Sequence, residues 1–128
     1  MTTHSDIISS LPAGVERAIL RVLSFHQGAE NAIPRFNLLA DIKWHGFDIS
    51  EREMRAAINS LRKGGALICS AGGNGGGYFS PASPQELEDY FQRELHPRAM
   101  DLLEQEKAMR EAAEKTWGKY SPEQQLRF

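Results

Sequence analysis

The stretch Ser50-Glu-Arg-Glu-Met-Arg-Ala-Ala-Ile-Asn-Ser-Leu-Arg-Lys-Gly-Gly65 decides the fold class, because it has the pattern of a capped helix that stops at two glycines. Ser50 and Glu53 have the spacing of a capping box, in which the hydroxyl accepts from the Glu53 amide and the carboxylate accepts from the Ser50 amide. A helix is therefore expected from Glu51 to Lys63. Two short β-prone runs follow, 67–70 and 78–80, on either side of the glycine-rich segment 72–77. Glycines tolerate the positive φ values of tight turns, so this segment is expected to form the loop of a β-hairpin.

The helix predicted over 51–63 has two chemically different sides. At about 100° per residue, its apolar residues fall within one sector and most of its basic residues within the opposite one. The apolar side, which we expect to face the core, consists of Met54, Ala57, Ile58 and Leu61. The polar side, which we expect to face solvent or a ligand, consists of Arg52, Arg55, Asn59, Arg62 and Lys63.

Helical patterns also precede this stretch. Apolar residues at helical spacing predict a first helix over 15–26. A second helix is expected to begin at Pro34, because proline is favoured in the first helical turn, and to end at Gly46. Ile33, directly before it, is expected to form a strand of one or two residues. The buried stripe of the second helix is expected to comprise Leu38, Leu39 and Ile42.

The C-terminal third is also predicted to be helical. Ser83 and Glu86 repeat the capping-box spacing and open a helix. Pro97 predicts a kink or break, because proline lacks the amide that the helix needs. A further helix is expected over 97–115, with Ala99, Leu102, Leu103, Met109 and Ala113 facing inward. These elements predict an α+β, mostly α fold with a flexible N-terminal arm (1–14), a domain (15–80), a kinked C-terminal helical arm (81–117) and a flexible tail (118–128).

Composition places the chain among ordinary globular proteins. Its 128 residues are 41% hydrophobic and 25% charged, with a net charge of −2. Residues 15–80 carry eight Lys/Arg against six Asp/Glu, whereas residues 81–128 carry seven against ten. No apolar run has the length of a membrane span, and the first residues lack the pattern of a signal peptide. With Cys69 as the single cysteine, no intrachain disulfide can form, so a cytoplasmic location is expected.

The sequence contains no pattern that indicates catalysis, a cofactor or a metal. The glycine-rich segment 72–77 is not followed by the Gly-Lys-Ser/Thr of a phosphate-binding loop. No nucleophile, base and acid occur together in a recognisable set, so we interpret the protein as a non-enzyme. The residues that could bind a metal lack the spacing of ligands, and they are His4, His26, His45, His96 and Cys69.

The order helix, short strand, helix, serine-capped helix and glycine-tipped hairpin resembles the winged helix-turn-helix family over residues 15–80. More narrowly, the run Ile-Asn-Ser-Leu-Arg-Lys-Gly-Gly-Ala-Leu-Ile-Cys-Ser (58–70), followed by Gly-Gly-Tyr-Phe-Ser (76–80) and Ser-Pro-Gln-Glu-Leu (83–87), resembles small bacteriophage and prophage winged-helix proteins. Those proteins pair this domain with a C-terminal helix. The resemblance implies a three-helix core with a β-wing, and it puts Asn74 at the wing tip. It also implies that base and phosphate contacts are made at Arg52, Arg55, Asn59 and Arg62. Wings that touch DNA often carry Arg or Lys, and the segment 71–77 has neither.

The leading hypothesis is that helix 51–63 binds double-stranded DNA in the major groove, in transcription regulation or replication of a phage or mobile element. Arginine can bind guanine through two hydrogen bonds, and asparagine can bind adenine in the same way. Lys63 is expected to contact the DNA as well. Arg35 and Lys43, on the second helix, are expected to clamp phosphates.

Three alternatives stay open at this point. The basic side of helix 51–63 is also typical of a solvated face with ion pairs, such as Glu51 with Arg55. The protein could instead be a winged-helix module that binds a phage or host protein without DNA contact, which would suit its near-neutral domain and acidic arm. The C-terminal helix either packs back on the domain or pairs with its copy in a homodimer.

Overall fold

The computed structural model describes residues 13–72 and 76–119, which are mostly helical. The strands β1 (Cys69–Ser70) and β2 (Tyr78–Phe79) form a two-stranded antiparallel sheet. The predicted α+β, mostly helical fold is therefore confirmed. In this described part of the chain, no helix is both long enough and apolar enough to cross a membrane. The helical elements are α1 (Val15–Leu23), a 3-10 turn (Ala29–Asn31), α2 (Arg35–Trp44), α3 (Glu51–Lys63), α4 (Pro84–Tyr90), a π-helical turn (Phe91–Leu95) and α5 (His96–Trp117).

The core of the N-terminal part lies among α1, α2 and α3. α1 contacts both other helices, and five of its nine residues are buried. Burying an Ile or Leu side chain contributes about 1.5–3 kcal/mol relative to leaving it exposed, so this cluster is the main term that favours folding. Leu39 and Leu61, which were predicted to face inward, are partly buried against the core. The predicted core residues that are fully buried include Ile19, Leu38, Ile42, Met54 and Ile58.

β2 has backbone partners on both of its edges. On one edge it pairs with β1, where Ser70 lies opposite Tyr78. On the other edge the Ile33 amide donates to the Tyr78 carbonyl (2.9 Å), and the Tyr78 amide donates to the Ile33 carbonyl (3.0 Å). The short strand predicted at Ile33 is therefore present as an isolated bridge, and the antiparallel strand pairing of the predicted hairpin is confirmed. Residues 73–75 of its predicted glycine-rich loop lie outside the described residues. This pairing holds the chain before α2 against the hairpin.

α1 ends earlier than the sequence predicted. The apolar spacing predicted a helix as far as His26, but α1 ends at Leu23. The Ser80 amide donates to the His26 carbonyl (2.9 Å), and the Ser80 hydroxyl donates to the Leu23 carbonyl (3.2 Å). Because the segment after β2 uses these two carbonyls, the chain leaves the helix and continues alongside the sheet.

The chain divides into two compact units, one ending at Tyr90 and the other beginning at Phe91. The division falls inside the predicted arm of residues 81–117, so α4 belongs to the first unit. α4 packs against β1, and Tyr90 is buried. Glu86 ties the start of α4 to distant backbone, because its carboxylate accepts from the amides of Ala82 (2.7 Å) and Ala29 (3.0 Å).

α5 forms most of the described part of the second unit. It follows the π-helical turn directly, and Pro97 lies in its first turn, a position that proline favours. None of the residues of α5 is buried. The prediction that five of its apolar residues face inward is therefore wrong for the single chain, because helical spacing reveals an apolar side but not what covers it. Those residues are Ala99, Leu102, Leu103, Met109 and Ala113.

We expect Gly77→Ala to destabilise the first unit, because a Cβ at this position would lie 2.8 Å from the Ile33 carbonyl oxygen. A contact this short pushes the Ile33–Tyr78 pairing apart, and overpacking of this kind typically costs about 1–3 kcal/mol. Urea denaturation followed by circular dichroism measures the change in the free energy of unfolding.

Gly64→Ala is the matched control. Its φ is −82°, and an added Cβ would come no closer than 3.4 Å to a neighbouring atom. Equal free energies of unfolding for the Gly77 and Gly64 variants would show that the close approach at Gly77 does not constrain the hairpin.

Candidate nucleic-acid interface

α3 begins where the sequence predicted, because side chains cap its first turn. The Glu53 amide donates to Ser50 Oγ (3.1 Å), and the Ser50 amide donates to Glu53 Oε1 (3.0 Å). These bonds satisfy amides that have no partner within the helix, and a cap of this kind is worth about 1 kcal/mol. The predicted helix from Glu51 to Lys63 is confirmed.

The polar side of α3 is narrower than the sequence predicted. At one margin Ala56, which lies beside Lys63 around the helix, is buried and only 6% exposed. At the other margin Arg62 is partly buried. The side chains left exposed cover a sector of about 80°. They are Arg52, Arg55, Asn59 and Lys63.

Glu51 brings together two of the predicted contact residues. Its Oε1 accepts a hydrogen bond from Arg55 Nη2 (2.9 Å) and lies 3.8 Å from Arg35 Nη1 on α2. The hydrogen bond from Arg55 holds the pKa of the Glu51 carboxyl below its ordinary value, and the same bond raises the pKa of Arg55. One carboxylate thus lies between two guanidinium groups, so the cluster carries one net positive charge.

Arg35 is positioned by its packing against the hairpin. Its Cγ, Cδ and Nε lie 3.4–3.7 Å from the position that a Cβ on Gly76 would occupy. Its guanidinium carbon also lies 5.9 Å from the centroid of the Phe36 ring. The side chain is 36% exposed, so its outer part reaches solvent beside Glu51. The structure thus places this predicted phosphate clamp next to Arg55.

Arg62 points into the domain instead of toward a ligand. Its Nε donates to the Ile68 carbonyl (2.8 Å), and its Nη2 donates to Ser70 Oγ (2.9 Å). Its guanidinium carbon lies 5.9 Å from the centroid of the Tyr78 ring and 5.7 Å from that of Tyr90, both within the range of cation–π attraction. The residue predicted to contact DNA therefore joins the end of α3 to the hairpin and to α4.

α2 carries an exposed apolar stripe that the sequence patterns above did not single out. Phe36 is 63% exposed and Trp44 is 87% exposed, and Ala40 lies exposed between them at a spacing of four. Lys43, predicted as a phosphate clamp, is exposed beside Trp44. The spacing was visible in the sequence, but the stripe through Leu38 and Ile42 already accounted for the amphipathic pattern. Asn74, predicted at the wing tip, lies outside the described residues.

The two histidines of the first unit that the structure describes contact nearby backbone. His26 Nδ1 lies 2.9 Å from the Asn31 carbonyl oxygen, and His45 Nδ1 lies 2.7 Å from the Asp41 carbonyl oxygen. Across residues 13–72 and 76–119, no three His, Cys, Asp or Glu side chains lie close enough together to hold a metal ion.

Comparison with known proteins does not assign a family. No protein-family model, no curated protein and no solved structure matches the chain. A function is therefore inferred from the geometry and charge of the surface around α3.

Arg62→Ala is expected to lower the free energy of unfolding by about 1.5–3 kcal/mol, because it removes two charge-assisted hydrogen bonds and leaves the Ile68 carbonyl without this donor. The melting temperature should fall by roughly 4–8 °C for each kcal/mol lost. Arg62→Lys should restore only part of this loss, since an ammonium lacks the planar fork that reaches two acceptors. Thermal unfolding followed by near-ultraviolet circular dichroism of the tyrosines measures the effect.

Arg52→Ala is the control for loss of the same charge from the same helix. Because Arg52 is exposed, its loss should change the free energy of unfolding by less than about 0.5 kcal/mol. If both variants melt at the same temperature, Arg62 does not join α3 to the hairpin in solution.

Removing Arg55 should raise the pKa of Glu51 toward its ordinary value. Arg55→Gln eliminates the hydrogen bond that holds the carboxyl pKa down. Because the folded pKa lies below the unfolded one, the contribution of this pair to stability is present above the unfolded pKa and is lost as pH falls through the folded pKa. A ¹³C NMR titration of the Glu51 side-chain carboxyl measures the midpoint, with Arg52→Gln as the control. An identical midpoint in the Arg55 and Arg52 variants would contradict the ion pair.

Proposed function

We propose that this protein is a winged helix-turn-helix protein that binds double-stranded DNA through α3, in transcription regulation or replication of a phage or mobile element. The observation that carries the proposal is the sector of exposed Arg52, Arg55, Asn59 and Lys63 on a helix whose other side is buried. The order of the elements also fits: a helix, a bridge at Ile33, a second helix, a capped helix and a hairpin. In this architecture the capped helix enters the major groove.

The exposed side chains of α3 have the chemistry to read bases. Arg52 and Arg55 each present a planar fork that can bind guanine O6 and N7, and Asn59 can bind adenine N6 and N7. Lys63, at the end of the helix, supplies a single positive charge for a phosphate. Arg62 takes no part in this proposal, because its guanidinium is bonded inside the domain.

The Glu51 carboxylate competes with DNA for the Arg55 guanidinium. For Arg55 to contact DNA, it must leave the Glu51 carboxylate 2.9 Å away or share itself between the two partners. Arg35 lies on the other side of the same carboxylate, so a phosphate that binds there meets two cations and one anion. The carboxylate thereby reduces the sequence-independent affinity for the DNA backbone. Contacts to particular bases then contribute a larger share of the binding free energy.

The second candidate is a module that binds a phage or host protein and does not contact DNA. The stripe of Phe36, Ala40 and Trp44 favours it, because an exposed apolar stripe suits a protein partner better than a polyanion. The DNA proposal has more support, since the exposed side of α3 carries three cations and an amide.

DNA binding can be measured by fluorescence anisotropy with a labelled random duplex and with DNA from upstream of the gene, across a salt series. The affinity should fall steeply with salt, and Lys63→Ala should lower the salt slope by about one, because Lys63 contacts a phosphate. Replacing Arg52, Arg55 and Lys63 together by alanine should also remove the preference for the upstream DNA, because both arginines contact bases. Asn59→Ala should cost about 1–3 kcal/mol on the upstream DNA and less on the random duplex, because it removes a base contact.

Arg17→Ala is the matched control, since Arg17 is an exposed arginine on α1. Glu51→Gln should strengthen binding to both duplexes, because it removes the carboxylate that competes with phosphate for Arg55. Absence of binding at low salt would overturn the proposal, and so would equal affinities for the triple variant and Arg17→Ala. Either result would favour the protein-binding candidate.

A further inference from the structure

α5 lacks the packing that usually stabilises a helix of this length in a protein. It runs for 22 residues and buries none of them. Leu102 is 60% exposed, Leu103 57%, Met109 72% and Trp117 79%. Helices in proteins owe most of their stability to packing of an apolar face. An exposed apolar face on so long a helix indicates that a partner covers it.

One row of residues along α5 has heptad spacing. Its members are separated by four, three, four, three and four positions, the pattern that keeps one face of a helix toward a second helix. At 100° per residue they fall within a sector of about 80°. Leu102 and Met109 both lie next to the row on one side and widen its apolar face. We name this row the α5 stripe, and it consists of Ala99, Leu103, Glu106, Arg110, Ala113 and Trp117.

The α5 stripe has the same spacing when it is read backward. When two copies lie antiparallel with their stripes in register, every layer pairs unlike residues. Ala99 meets the Trp117 of the second copy, Leu103 meets Ala113, and Glu106 meets Arg110. Small residues therefore face large ones, and acids face bases. We propose that α5 pairs antiparallel with α5 of a second copy of this chain, through the α5 stripe.

A parallel arrangement fits the same residues poorly. It would put Glu106 opposite Glu106 and Arg110 opposite Arg110, and like charges that face each other are destabilising. It would also place two Trp117 rings in one layer and two Ala99 methyl groups in another, so the layers would differ in volume. The antiparallel pair is two-fold symmetric, so each residue pair occurs twice.

Charge within one chain is consistent with this pairing. Glu106 and Arg110 form an ion pair one turn apart in the same helix. In the antiparallel pair, the second copy adds its own Arg110 and Glu106 beside them. The result is an alternating cluster of two acids and two bases at the centre of the seam.

Sedimentation equilibrium of the full chain without DNA tests the association. We expect a monomer–dimer equilibrium that Glu106→Arg weakens by about tenfold or more, because it brings like charges together in two layers. The double change Glu106→Arg with Arg110→Glu should restore the dimer. Glu104→Arg makes the same charge change outside the stripe and serves as the control. A chain that stays monomeric at high concentration overturns the proposal, and so do equal effects of Glu106→Arg and Glu104→Arg.

Cysteine cross-linking tests the direction. Variants Leu103→Cys and Ala113→Cys, carrying tags of different mass, are oxidised alone and as a mixture. Antiparallel pairing predicts a cross-link in the mixture only, whereas a cross-link in each variant alone indicates parallel pairing and overturns the proposal. Glu104→Cys mixed with Ala112→Cys is the control, because these positions share a level but lie outside the stripe. The native Cys69 is fully buried. Oxidation of the unmodified chain measures any cross-linking that occurs through this cysteine.

Discussion

Backbone pairing between Ile33 and Tyr78 is the constraint on which the candidate interface depends. Two hydrogen bonds hold the residues before α2 against β2. Arg35 follows two positions later, so it lies beside the hairpin, packs over Gly76 and approaches Glu51. Glycine at position 77 permits this approach, since a Cβ there would meet the Ile33 carbonyl. The backbone pairing of Ile33 with Tyr78 thereby places Arg35 of α2 at the same carboxylate as Arg55 of α3.

Arg62 acts at the opposite end of α3. Its guanidinium reaches a carbonyl and a hydroxyl of the hairpin at once, which the planar fork of arginine allows and a lysine ammonium does not. Two tyrosine rings flank it, so hairpin and α4 are both joined to the helix. An arginine used in this way is unavailable to a ligand. The residues of the polar side that stay exposed are Arg52, Arg55, Asn59 and Lys63. Within one basic helix, Arg62 thus stabilises the fold, whereas the exposed polar residues form the candidate interface.

Features that depend on neighbouring residues could be predicted from the sequence. The Ser50–Glu53 cap and the start of α3 are of this kind, because their partners lie within one helical turn. Arg62 and Arg52 could not be told apart, since both are arginines on the polar side of a wheel and only the returning hairpin distinguishes them. The end of α1 depends in the same way on Ser80, a residue far along the chain. The apolar side of α5 was visible in its spacing, but what covers it was not, because apolar spacing alone does not distinguish packing within one chain from packing against a second copy.

The small net charge of residues 15–80 explains why the proposed antiparallel α5 pair would matter for the proposed binding to DNA. Residues 15–80 carry only two more basic than acidic residues, and Glu51 offsets part of that excess at the surface itself. One such domain gains little from phosphate attraction, which supplies most nonspecific affinity. Joining two domains makes the second binding event intramolecular and can raise the overall affinity by about 10²–10⁴ without any new contact. The antiparallel α5 pair provides this link and imposes two-fold symmetry, so the preferred DNA should contain inverted half-sites.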